Sequence, residues 1–160
     1  MPLSILKDFL DERKIRYVVI SHSLAYTAAG IAAITHIPGK ELAKTVIVKI
    51  DGQLGMALVS SSQHVDLAML KDATGGKNVA LATEEEFKLR FPDCEVGAMP
   101  PFGNLYGMKV FADVGLSRDK EIAFNAGSHR ELVRLAWDDF ERLVQPRLVP
   151  LVALKRAAGA

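Results

Sequence analysis

Apolar residues at Ile5, Leu6, Phe9 and Leu10 share one face of a helix spanning Ser4 to Lys14, with Ser4 placed to cap it. Tyr17 to Ile20 reads as a short strand. The Ala-rich run Thr27 to Ile34 reads as helical with Thr27 as its N-cap. Pro38-Gly39 then breaks the chain before a second short helical segment around Lys40 to Ala43. Thr45 to Ile50, Asp51-Gly52 and Gln53 to Ser60 form the clearest local unit, because Asp-Gly between two apolar runs tolerates the positive φ of a tight hairpin turn. Leu54 to Val59 barely alternates, which predicts a strand covered on both faces.

Val65 to Ala73 carries a helical apolar pattern ended by Gly75-Gly76, with Ser62 as the expected cap. Thr83-Glu84-Glu85-Glu86 is a capping box opening a helix that stops before Pro92. Asp93 to Met108 is irregular and rich in glycine and proline. Lys109 to Ala112, Glu121 to Phe124 and Glu131 to Ala136 read as strands, and Asp138 to Val144 as a final helix before Pro146. No repeat, linker or low-complexity run divides residues 1–160, so one domain of mixed strands and helices is expected, with a hairpin-rich, mixed sheet.

Composition narrows the class. With 49% hydrophobic and 24% charged residues, the chain can fold around an ordinary core. The apolar runs are too short to span a bilayer, and charges near the N-terminus interrupt any signal-peptide pattern, so a cytoplasmic location without membrane contact is expected. Twenty basic and nineteen acidic residues leave a net charge of +1, which argues against a protein that grips duplex DNA through many phosphates. A nucleic-acid ligand would be held through few phosphates, or with a partner's help.

Several chemistries fail on spacing. Gly75-Gly76-Lys77-Asn78 lacks the glycine and hydroxyl of a phosphate loop. His22, His36, His64 and His129 show no paired ligand spacing and Cys94 is the only cysteine, so no zinc site is expected. Ser60 to Asp66 lacks the glycines of a nucleophile elbow, and nothing near Cys94 in sequence would activate its thiol.

Three features survive. In a strand, Lys44 shares a face with Val46, Val48 and Ile50, while Lys49 falls on the other face as surface charge. Lys44 thus stands at the mouth of an apolar face, where it either holds a phosphate or carbonyl oxygen or simply extends to water. Gly97-Ala98-Met99-Pro100-Pro101-Phe102-Gly103 is either a stiff loop that aims backbone groups at a substrate or an ordinary connection. In Phe124-Asn125-Ala126-Gly127-Ser128-His129, the histidine can donate a hydrogen bond, shuttle a proton or stay solvated.

Together with His22, Tyr26-Thr27-Ala28 and Ala43-Lys44-Thr45, these segments resemble the YbaK family of editing domains, also found inserted in bacterial prolyl-tRNA synthetases. The resemblance covers about Tyr17 to Val144, leaving an N-terminal helix and a C-terminal tail as flanks. It implies a compact α/β fold with a central, largely antiparallel sheet and surrounding helices. It also implies trans hydrolysis, with no metal and no cofactor, of an aminoacyl-tRNA ester carrying a small amino acid such as Ala, Cys, Ser or Thr, as on proline tRNA. The implied partners are a mischarged tRNA 3′ end and a synthetase. Lys44, Gly97 and His129 match the family's catalytic positions, and Tyr26, Thr27, Thr45, Ala98, Met99, Pro100, Pro101 and Gly127 its substrate-binding ones. Where the alanine-clearing subgroup often carries asparagine after the lysine, this chain has Thr45, which leaves the amino acid open. A module that holds a tRNA end or a synthetase without hydrolysis is the alternative.

Overall fold

The computed structural model describes residues 3–22 and 40–153. Its strands form two sheets rather than one central sheet. In the smaller, β1 (Tyr17–Ser21) and β6 (Glu121–Asn125) flank β7 (Glu131–Ala136), all antiparallel. The larger has the order β4-β2-β3-β5-β8, with β2 (Ala43–Ile50), β3 (Gln53–Ser60), β4 (Val79–Leu81), β5 (Lys109–Asp113) and β8 (Arg147–Val149). Its β2–β3 and β2–β4 pairs are antiparallel, whereas β3–β5 and β5–β8 are parallel. The sheets meet where Leu42 bridges Ala123 in parallel, with the Ala123 amide donating to the Glu41 carbonyl at 2.9 Å.

The β2–β3 hairpin divides the core. Strand alternation turns Ala43 and Ile47 of β2, with Met56 and Leu58 of β3, into the main cluster. That cluster also holds Leu6 and Leu10 of α1 (Ser4–Glu12) and Phe140 of α4 (Trp137–Val144). The opposite faces send Val48, Ala57 and Val59 against Leu70 of α2 (Leu67–Thr74) and against Val149 and Leu151. Residues Gly55 to Ser60 are therefore all buried, as the unalternating apolar run predicts.

Local signals decide several ends. Thr83 and Glu86 form both hydrogen bonds of the capping box at α3 (Glu84–Phe87), which tightens into a 3-10 turn over Lys88–Arg90. Gly75, in the left-handed region, closes α2. Other expectations are corrected. Leu3, not Ser4, is the N-cap of α1, because its amide is held by the Ala126 carbonyl at 3.1 Å and its side chain is buried. Ile5 points outward, leaving Leu6 and Leu10 as the buried ridge of that helix. Asp66, not Ser62, caps α2 by accepting from the Met69 amide at 3.1 Å. Lys40 to Ala43 is a turn running into β2 rather than a helix, since sheet pairing of Leu42 and Ala43 overrides local propensity. The short strands β4 and β8 carry no pattern of their own. The helix expected over Thr27 to Ile34 lies outside the described residues. Among the described residues, no helix is long and apolar enough to cross a membrane.

Lys49, read as surface charge, pairs with Glu86 and fastens α3 to β2. The hydrogen bond from Lys49, then that from the Thr83 amide, lowers the Glu86 carboxyl from 4.5 to about 2. A depressed carboxylate stabilises the fold above its unfolded value and loses that contribution as pH falls through its folded value. Glu86→Gln should therefore lower Tm at neutral pH and flatten its decline between 4.5 and about 2. Thermal melts across that window check this, with a small, salt-sensitive effect expected for so exposed a pair.

Candidate active site

Lys44 is the second residue of β2, opposite Val59 of β3, on the face covered by α2. Its half-buried stem lowers the ammonium pKa, because burial penalises the charged form. Its Nζ lies 3.4 Å from Nδ1 of His64. An ammonium can only donate, so this imidazole accepts at Nδ1 and carries its proton on Nε2. Thr45 faces the other way, opposite Leu58 above the main cluster. Tyr26 and Thr27 lie outside the described residues.

The glycine-proline loop is not an ordinary connection. Ala98, Met99, Pro100, Pro101, Phe102 and Gly103 are all buried. The Phe102 ring sits 5.5 Å from those of Phe124 and Phe140 and 6.0 Å from that of Phe9, centroid to centroid. Gly103 leaves no room for a side chain, since a Cβ there would lie 2.4 Å from the Met108 carbonyl oxygen. The loop is thus anchored at its C-terminal end by aromatic packing and close backbone approach.

At its N-terminal end it is laced to residues 126–129. The Gly127 amide donates to the Ala98 carbonyl and the Glu95 amide to the Gly127 carbonyl, both at 2.8 Å. Buried His129 places Nε2 at 2.7 Å from the Val96 carbonyl oxygen. A carbonyl only accepts, so Nε2 carries the proton, and this nitrogen is occupied in holding the loop. Of the roles open to His129 in the sequence, the structure shows hydrogen-bond donation. Gly97 has φ 85°, and a Cβ there would meet His129 Cε1 at 3.4 Å.

The structure therefore joins Gly97 to Pro101, Gly127 and His129 in one cluster. Lys44 belongs to a second, with His64. Among the described residues no hydrogen bond links the Lys44 side chain to the loop, but the sheet junction brings their strands together. From the parallel Leu42–Ala123 bridge, β2 reaches Lys44 in two residues and β6 reaches Asn125 in two, immediately before the 126–129 turn. Among the described residues, Asn125 Oδ1 is buried there without a hydrogen-bond partner. Sequence reasoning assigned no role to Asn125 or His64. Nothing in the sequence marks His64 as Lys44's neighbour, because the two are brought together only by the folding of β2 and β3.

Cys94 is half-buried with Sγ 3.8 Å from the Tyr106 hydroxyl, and burial pushes the thiol pKa up, which suits a structural thiol. A broad open groove lies at the opposite, hairpin end of the larger sheet, lined by Lys49, Asp51, Arg90, Lys109 and Arg147 among others. Six residues of extended β2, about 20 Å, separate its Ile50 wall from Lys44, so it is not part of either cluster.

A mixed α/β fold whose sheet junction joins a lysine-bearing strand to the strand leading into a rigid glycine-proline cluster defines the class. Residues 22–143 match the model of the aminoacyl-tRNA editing domain family. The chain is 31% identical over 145 residues to the multifunctional Ser/Thr-tRNA deacylase ProXp-y of Escherichia coli (strain K12), covering 88% of this chain and 86% of that protein. It is 25% identical over 142 residues to the prolyl-tRNA editing protein ProX of Acetoanaerobium sticklandii, covering 85% and 86%. In fold it is similar to the solved structure of a candidate trans-editing enzyme for prolyl-tRNA synthetase, with TM-score 0.80 and 21% identity over 93% of this chain and 95% of that one. The chain belongs to the aminoacyl-tRNA editing domain family. It is accordingly an aminoacyl-tRNA hydrolase.

Two substitutions separate the loop's anchors. Phe102→Ala should destabilise the fold by about 3–5 kcal/mol, the loss typical of a buried aromatic ring. Gly97→Ala should lower stability by only about 1 kcal/mol, through strain at positive φ, yet reduce deacylation strongly by displacing His129 and the loop. Denaturant melts paired with single-turnover deacylation distinguish the two.

Proposed function

We propose that the chain hydrolyses the ester of a mischarged tRNA in trans, with serine or threonine as the amino acid removed. The observation that carries the reading is the built character of the loop, buried from Ala98 to Gly103 and tied at both ends, with the lysine-bearing strand bridged to the strand that leads into it. The similarity to a Ser/Thr-tRNA deacylase along most of both chains supports the amino acid. Buried Asn125 Oδ1, an acceptor without a partner among the described residues, suits the hydroxyl or the ammonium of such an aminoacyl group. A prolyl-tRNA synthetase is a fitting partner, since part of the chain is 30% identical to a segment of the proline–tRNA ligase of Bacillus mycoides.

In this reading Lys44 neutralises the terminal phosphate or polarises the ester carbonyl, and the Gly97 to Pro101 loop orients the ester. Water adds to the carbonyl carbon, and the ribose oxygen leaves with a proton as free amino acid is released. The terminal ribose hydroxyl assists, and no protein nucleophile is required. An aminoacyl ester is already activated, so fixed positioning and a few oriented dipoles supply the acceleration. His129 acts as a positioning residue, holding Val96 and so the loop. Chemistry of this kind needs only the tRNA end in the site, which fits a net charge of +1.

The test is deacylation of tRNAs mischarged with Ala, Cys, Ser or Thr, with Lys44→Ala alongside. Fastest release of serine or threonine is expected, with a loss of about 10²-fold or more in the variant and an unchanged fold by circular dichroism. Preference for alanine or cysteine would overturn the assigned amino acid. Tight binding of uncharged tRNA with no release from any substrate would favour a non-catalytic binding module.

A further inference from the structure

His64 lies between β3 and α2, in a stretch where the sequence marks neither a metal site nor a nucleophile. The fold instead sets its Nδ1 3.4 Å from the Lys44 ammonium, half-buried at the edge of the α2-side cluster. Every proton of an ammonium is a donor, so the contact exists only while Nδ1 keeps its lone pair. Protonated imidazole is a donor at both nitrogens and carries positive charge. It would lose the hydrogen bond and repel the ammonium at the same distance.

Among the described residues, the charged groups that line the groove around His64 leave this pairing without a competitor. The groove it lines also contains Lys40, Asp66, Asp113, Arg118 and Asp119. Asp66 caps α2 through the Met69 amide. Asp113 accepts from the amides of Gly115 and Leu151. Asp119 pairs with Lys40 at 3.8 Å. The three carboxylates of the groove are thus engaged elsewhere, and Arg118 adds a further positive charge. No carboxylate among these described groups is left over to hold a protonated His64 in place.

We propose that His64 is a positioning residue for Lys44: neutral His64 fixes the ammonium through Nδ1, and its protonation releases Lys44 and switches the site off. The catalytic part rests on the deacylase reading above, whereas the pairing itself does not. Protonation turns the imidazole from an acceptor into a donor at Nδ1, so the pairing with the ammonium is lost on that single change.

Two measurements test this. The first is nitrogen-15 NMR of the histidine rings in the intact protein at about pH 8. It should show His64 as the Nε2–H tautomer, and a ring protonated on Nδ1 would overturn the pairing. The second is single-turnover deacylation from about pH 5 to 8, with each variant expressed as a ratio to wild type so that titration of the substrate amine cancels. His64→Ala should slow the reaction about tenfold at the alkaline end, the worth of one hydrogen bond to a charged group. His64→Asn, whose Oδ1 stands where Nδ1 does but does not titrate, should retain that rate and outpace wild type at the acid end. A constant His64→Asn ratio across the range, or full activity in His64→Ala, would overturn the positioning role. Wild-type protein that deacylates nothing would overturn the functional reading and the catalytic part with it, and the tautomer would still decide the pairing.

Discussion

Burial of both faces of the β2–β3 hairpin is the constraint on which the remaining structure depends. A strand pair with one wet face can slip by a residue at modest cost, because only one side chooses its partners. Here Ile47, Met56 and Leu58 must meet the aromatic cluster while Val48, Ala57 and Val59 meet α2 and Leu151. A slip would exchange the two sets and empty both cores. The same alternation decides what Lys44 and Thr45 face. One is committed to the α2 side near His64, the other to the main cluster, and neither can be turned without moving the hairpin.

The loop opposite obeys a different constraint. Irregular backbone normally stays at the surface because its polar groups need water. Ala98 to Gly103 is buried nonetheless: the Ala98 carbonyl accepts from Gly127 and its amide donates to Glu95, the Phe102 and Gly103 carbonyls accept from the turn that follows, and two prolines offer no amide to satisfy. Phe102 fixes one end among three other phenylalanine rings and His129 the other through Val96. A loop held this way keeps its carbonyls and amides aimed before a substrate arrives, which is what hydrolysis without a nucleophilic side chain requires.

Much of this was legible in the sequence where the signal is local. Asp51-Gly52 marks the turn, the unalternating run after it marks a doubly covered strand, and Thr83 with Glu86 marks a helix start. Failures cluster where tertiary contacts outvote local chemistry. Leu3 displaces Ser4 as a cap because the chain after β6 holds its amide, and Lys40 to Ala43 yields to the bridge with β6. Strand β8 exists only by pairing in parallel with β5, and three residues between Pro146 and Pro150 carry no periodicity to announce it. At the site, Lys44 and the loop were visible as a pattern, but the lysine's imidazole neighbour and the buried Asn125 oxygen arise from chain segments that no spacing connects.

The central claim is that Lys44 and the Gly97 to Pro101 loop act on one ester. The most direct measurement is a crystal structure with a non-hydrolysable analogue of the tRNA end, seryl-3′-amino-adenosine, in which an amide replaces the ester. The account predicts the seryl carbonyl lying between the Lys44 ammonium and the backbone of the loop, within hydrogen-bond reach of both. An analogue seated in the groove at the hairpin end, or against the loop with Lys44 out of reach, would contradict it.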